Sequence, residues 1–119
     1  MLEGRLTTPL EIKQGDTFHL EILWTDSEGV PVGMAGCTAR MQLRRLPGEP
    51  VLLDMSTQNG RITLSDGSIV IDVDAAAMRE LTAPDGAFDL QISYSDGRVQ
   101  TILGGLFRLI PDVTYDGNA

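Results

Sequence analysis

Hydrophobic and polar residues alternate along several stretches of the chain, at the spacing that puts every second side chain on one face of a β-strand. In "TFHLEILWTD", Phe18, Leu20, Ile22 and Trp24 share one face and His19, Glu21, Leu23 and Thr25 share the other. The first set is the expected core face. "CTARMQLRR" repeats the design, with Ala39, Met41 and Leu43 opposed to Arg40, Gln42 and Arg44, and "GSIVIDVD" opposes Ile69, Ile71 and Val73 to Val70, Asp72 and Asp74. The cleanest case is "GAFDLQISYSDG", where Phe88, Leu90, Ile92 and Tyr94 face away from Asp89, Gln91 and Ser93. Turn signals separate these runs: "DSEG", "LPGEP", "QNG", "SDGS" and "SDGR". Asp-Gly and Asn-Gly accept the positive φ of tight reversals, so Asp96-Gly97 predicts a hairpin between two long strands. Strands and turns recurring about every ten residues predict an antiparallel sandwich or barrel.

One short helix is predicted over about residues 75–81, with Asp74 as N-cap, good helix formers from Ala75 to Leu81, and Pro84 with Gly86 as the stop. Met78 and Leu81, three apart, are placed to close one end of the sandwich. In the last strand, "RVQTILGGLFRLIPDV", the pair Gly104 and Gly105 predicts a bulge or close backbone approach. The core-facing parity is expected to shift there, from Val99 and Leu103 before the glycines to Phe107 and Leu109, or Leu106, after them. Pro9 followed by Leu10, Glu11 and Ile12 reads as an edge strand. The expected organisation is an N-terminal arm over residues 1–8, one β-sandwich domain over 9–112 and a tail over 113–119.

Composition narrows the partners more than the fold. At 119 residues the chain is one domain long. It carries a net charge of −8, with Lys13 and eight arginines against seventeen acids. That balance repels nucleic-acid phosphates and anionic membranes alike, so neither is an expected partner. "ARMQLRR" is the one local exception, with Arg40 and Arg44 on a single strand face, and the plain reading is a solvated face. No apolar run reaches the roughly 20 residues of a spanning helix, and "MLEGRLTTPLEIKQG" lacks the pattern of a secretory signal. The lone Cys37 excludes an intrachain disulfide and reads as a small buried or half-buried hydrophobe.

Catalytic chemistry finds few residues to use. GxGxxG, P-loop, GxSxG and HExxH motifs are absent, and the single His19 with the single Cys37 cannot supply a zinc ligand set. Asp72 and Asp74 share a strand face near the flexible "SDGS" turn, which raises loop-bound calcium, but the EF-hand ligand ladder is missing. Glycoside hydrolysis needs two carboxyls across a sugar-sized cleft, for which short loops leave little room. No catalytic residue, metal or cofactor is therefore expected. A carbohydrate- or calcium-binding module and a small acidic hydrolase stay as alternatives.

The stretch "EIKQGDTFHLEILWTDSEGVPVGMAGCTARMQLR" resembles the small immunoglobulin-like proteins and N-terminal domains of phage and prophage tail genes, including the domain family that opens baseplate upper proteins. The likeness rests on a Gly-Asp lead, an alternating strand, an acidic Gly turn and "PVGMAGCTARMQLR", with Gly33 and Met34 where that family often has Asp and Leu. "GAFDLQISYSDGRVQTILGGLFRLIPDVT" is similar to its closing hairpin, and the resemblance spans about residues 10–114. It implies an all-β, antiparallel immunoglobulin-like β-sandwich without an active site, assembled in the host cytoplasm into a virion. The implied partners are other virion proteins, met by multiple copies in a symmetric assembly, with a head decoration or cement protein as the nearest alternative. Candidate protein-contact residues are His19, Glu21 and Leu23 on one strand and Arg40 and Arg44 on another.

Overall fold

Strands form where the alternation predicts them, and three further strands, at Gly4–Arg5, Val51–Ser56 and Ile62–Ser65, form where it is weak. The computed structural model describes residues 4–5 and 9–111, so the ends of the expected arm and the tail over 113–119 lie outside the described residues. Chain order is β1 (Gly4–Arg5), β2 (Leu10–Lys13), β3 (Phe18–Leu23), β4 (Thr38–Arg44), β5 (Val51–Ser56), β6 (Ile62–Ser65), β7 (Ser68–Val73), α1 (Ala75–Met78), β8 (Asp85–Ser93) and β9 (Val99–Ile110). Among the described residues the larger sheet runs β1-β9-β8-β4-β5, with β2 also on β9, and the smaller runs β3-β7-β6. The chain crosses between sheets after β2, β3, β5 and β7, and makes hairpins at β4-β5, β6-β7 and β8-β9. With β3, β7 and β6 read as strands B, E and D, and β9, β8, β4 and β5 as G, F, C and C′, this is an immunoglobulin-like sandwich. β5 stands in the place of the strand that variable-type domains add.

The pairing is antiparallel except at the start of the chain. Gly4 and Arg5 pair parallel with Leu103 and Gly104, and β2 runs parallel to β9 from Leu10↔Phe107 to Lys13↔Ile110. No hairpin joins these strands to β9, so no local turn imposes the antiparallel sense. The expected edge strand after Pro9 is therefore present, and Gly4–Arg5 of the expected arm are tied to the sheet.

Core faces follow the alternation. Met41, Leu43, Ile69, Ile71, Leu90 and Ile92 are fully buried between the sheets, while Arg40, Asp72 and Asp89 stay exposed. Burial of this kind supplies about 1.5–3 kcal/mol per large aliphatic side chain and stands in for the missing disulfide. The helix is shorter than predicted and ends at Met78. Asp74 caps it by accepting from the Ala77 N–H at 2.9 Å, and Glu80 and Leu81 then bond back to Ala77 and Met78, three residues earlier. That tightening ends the α-helix but still buries Met78 and Leu81 at the end of the core.

The parity shift in β9 lies before the glycines, not across them. Leu90 pairs with Leu103 and Gln91 with Thr101, so Ile102 is the extra, bulged residue. Ile102 is buried and Val99 is 59% exposed, which corrects the expectation that Val99 faces the core. Beyond the bulge Phe107 and Leu109 point inward and Leu106 outward. Gly86, read from the sequence as part of a helix stop, is instead a buried β8 residue pressed against the β4 backbone.

Candidate protein-contact surfaces

The five candidate contact residues occupy two opposite outer faces, because β3 belongs to the smaller sheet and β4 to the larger. They do not make one patch. On the smaller sheet, β3 and β7 pair with His19 opposite Asp72, and the ring Nδ1 lies 2.6 Å from the Asp72 carboxylate. Glu21 accepts a hydrogen bond from the Ser68 hydroxyl at 3.0 Å. Leu23 has no such cover and is 75% exposed. Asp72 and Asp74, weighed above as calcium ligands, are thus engaged by an imidazole and by a helix N-terminus. Among the described residues no group of three or more His, Cys, Asp or Glu side chains is placed to hold a metal ion.

On the larger sheet the register builds a chain of polar side chains. Arg40 donates from Nε to Asp54 at 3.1 Å, Gln42 donates to the same carboxylate at 3.2 Å, and Arg44 donates to the Gln42 carbonyl oxygen at 2.8 Å. Arg44 also donates to the Glu49 backbone carbonyl, and Arg45 reaches the Asp85 carboxylate at 3.0 Å. Burial pushes Asp54 up, but the hydrogen bonds from Arg40 and Gln42, with the charges of Arg40 and Arg61, hold it below its ordinary 3.8. The sequence points to Arg40 and Arg44. It does not point to Asp54, because only the β4-β5 register sets Asp54 opposite Gln42.

Arg40, Gln42, Arg44 and Arg45 border an open groove of about 650 Å³ whose floor is the outer face of β4, β8 and β9. The Leu46–Gly48 turn forms one wall, and Leu106 stands on the floor. Leu46 is 60% and Leu106 56% exposed, so the groove presents apolar side chains among arginines. Asp89 is the carboxylate in its lining, without a second acid or a histidine beside it. Two carboxyls poised across a cleft, which glycoside hydrolysis needs, are not assembled there.

Neither a protein-family model nor a curated protein sequence matches the chain. Among solved structures it is similar to Tim-1, at 13% sequence identity and a TM-score of 0.39, over 92% of this chain and 99% of that one. It is also similar to the first Ig-like domain of the human CD48 antigen, at 10% identity and a TM-score of 0.35, over 90% of this chain and 86% of that domain. The strand order and register described above carry the fold, and by them the chain is an all-β, immunoglobulin-like sandwich.

Proposed function

We propose that the chain is a non-enzymatic structural protein of a bacteriophage virion, an immunoglobulin-like module that docks onto tail, baseplate or fibre-attachment proteins. The observation that carries the docking role is the groove on the larger sheet. It is shallow, its floor is held by three hydrogen-bonded strands, and it shows leucine beside arginine. Apolar anchors ringed by arginine are the composition of a protein contact, and a rigid floor lowers the entropy lost on binding. The phage assignment is supported by the resemblance over "PVGMAGCTARMQLR" and the closing hairpin. Multiple copies on a symmetric particle would let modest individual contacts hold, through effective concentration. The test is mass spectrometry of purified particles separated into heads and tails. Recovery with tails at constant stoichiometry supports the proposal, recovery with heads supports a decoration protein, and absence from both fractions refutes a virion role.

A further inference from the structure

The smaller sheet ends at β3, and the outer ladder of that strand is open. In an antiparallel pair, alternate residues send their backbone groups to opposite sides of the strand. Asp72 donates its N–H to the Arg61 carbonyl at 2.8 Å, on the β6 side, and Trp24 donates to the Gly67 carbonyl at 2.9 Å. With Phe18↔Val73, Leu20↔Ile71 and Ile22↔Ile69 in register, these bonds assign Phe18, Leu20 and Ile22 to the ladder with β7. The backbone N–H and C=O groups of His19, Glu21 and Leu23 therefore point away from the sheet. Among the described residues no strand pairs with them.

Among the described residues β5, β2 and β6 are poorer edges for pairing. On β5, the Asp54 carbonyl accepts from Asn59 Nδ2 and Arg61 Nη1, and the Ser56 N–H donates to Asn59 Oδ1. β2 and β6 have only four residues each, and β2 follows Pro9 and ends in Lys13. Short strands, proline and lysine all discourage edge pairing. β3 has six residues and contains neither proline nor lysine.

Two further observations specify what would bind there. Leu20, Ile22 and Trp24 face the core but remain half-buried, whereas the β7 partners Ile69 and Ile71 are fully buried. The apolar flank is incomplete on the open side. The three strands of this sheet hold no lysine or arginine, and Glu21 and Asp72 stand on its outer face.

We propose that β3 is a strand-addition site for an extended segment of a partner protein, with apolar side chains on one side and Lys or Arg on the other. This rests on the docking role proposed above and names the partner's chemistry. Main-chain bonds to His19, Glu21 and Leu23 supply the pairing, inward side chains cover Leu20 and Ile22, and outward cations meet Glu21. A second copy is the poorer occupant. The two-fold register that pairs all three outward residues sets Glu21 against its own copy, and each chain carries −8.

The probes are synthetic peptides of about ten residues, a strand's length, alternating Val with Lys or Val with Glu, titrated into the intact protein by NMR. The Lys peptide should shift the amides of His19, Glu21 and Leu23 and bind about tenfold more tightly than the Glu peptide. Methylating alternate peptide nitrogens should abolish binding in one phase and spare it in the other. Glu21→Lys should weaken the Lys peptide about tenfold while the spectrum stays folded. Equal tolerance of both methylation phases, shifts mapping elsewhere, or sedimentation showing a dimer that occupies β3 would overturn the proposal. Absence of the chain from particles leaves this titration untouched, so the two readings fail separately.

Discussion

One methyl group added at Gly86 tests how tightly the larger sheet is built. Gly86 is buried in β8 opposite Phe107. A Cβ placed on it comes within 2.1 Å of the Arg44 carbonyl oxygen, 2.6 Å of Phe107 Cε2 and 3.0 Å of the Arg44 carbonyl carbon. Carbon–oxygen contacts settle at about 3.3–3.6 Å, so the closest approach is short by more than about 1 Å. No rotamer relieves it, because the obstruction is the β4 backbone where its register with β5 shifts. Phe107 is 1% exposed and cannot swing out. Overpacking costs about 1–3 kcal/mol, and a backbone obstruction puts Gly86→Ala at about 3 kcal/mol. Gly104→Ala is the control, since its Cβ would meet the Phe88 carbonyl oxygen at 3.6 Å and Asp89 Cβ at 3.9 Å, ordinary contacts. Alanine there should be neutral or stabilise by up to about 1 kcal/mol through the unfolded chain. Urea unfolding followed by circular dichroism should lower the Gly86→Ala midpoint by about 1–2 M at unchanged slope and leave Gly104→Ala at or above the parent. Equal midpoints for the two variants would refute this account of the packing.

Met78→Ala should cost about 2–5 kcal/mol in the same assay, because Met78 is fully buried and plugs the end of the core. Asn59→Ala should cost about 2 kcal/mol and speed amide exchange of Ser56 and Arg61, since both N–H groups donate to its side chain. Asp54 is depressed in the folded state, so its contribution is complete above its unfolded value of 3.8 and is lost as pH falls through its lower folded value. Asp54→Asn should therefore flatten the acid limb of stability, by less than about 1 kcal/mol, because the Asp54 side chain is 39% exposed. Urea midpoints at neutral and acid pH give the comparison, and equal acid losses in parent and variant would contradict it. Leu23→Ser, at a position 75% exposed, should leave stability within about 0.5 kcal/mol.

The strands with strict alternation were legible residue by residue. Phe18 to Leu23, Ala39 to Arg44, Ser68 to Val73 and Phe88 to Ser93 show their faces because each buries one side and wets the other. β5 was harder to see: "VLLDMS" opens with three apolar residues, and its first two are exposed beside a shift in register. β6 is too short for any period to register. The glycines misdirected attention, since Gly104-Gly105 advertise a bulge that sits at Ile102, while Gly86 looks like punctuation and is a contact. His19, Glu21, Leu23, Arg40 and Arg44 were visible as outward residues, but a period of two says nothing about which sheet a strand joins. Their separation onto opposite faces, the Asp54 pairing and the open ladder of β3 all depend on non-local register. Local sequence does not encode that directly.

The proposed docking role, with β3 as one of the contacts, makes a direct demand on backbone exchange. Hydrogen exchange should be compared between the chain free in solution and the chain inside purified particles. The amides of His19, Glu21 and Leu23 should exchange quickly in the free protein and be protected in the particle. Identical exchange in both states across β3 and the groove of the larger sheet, or no chain in the particle to measure, would contradict that role.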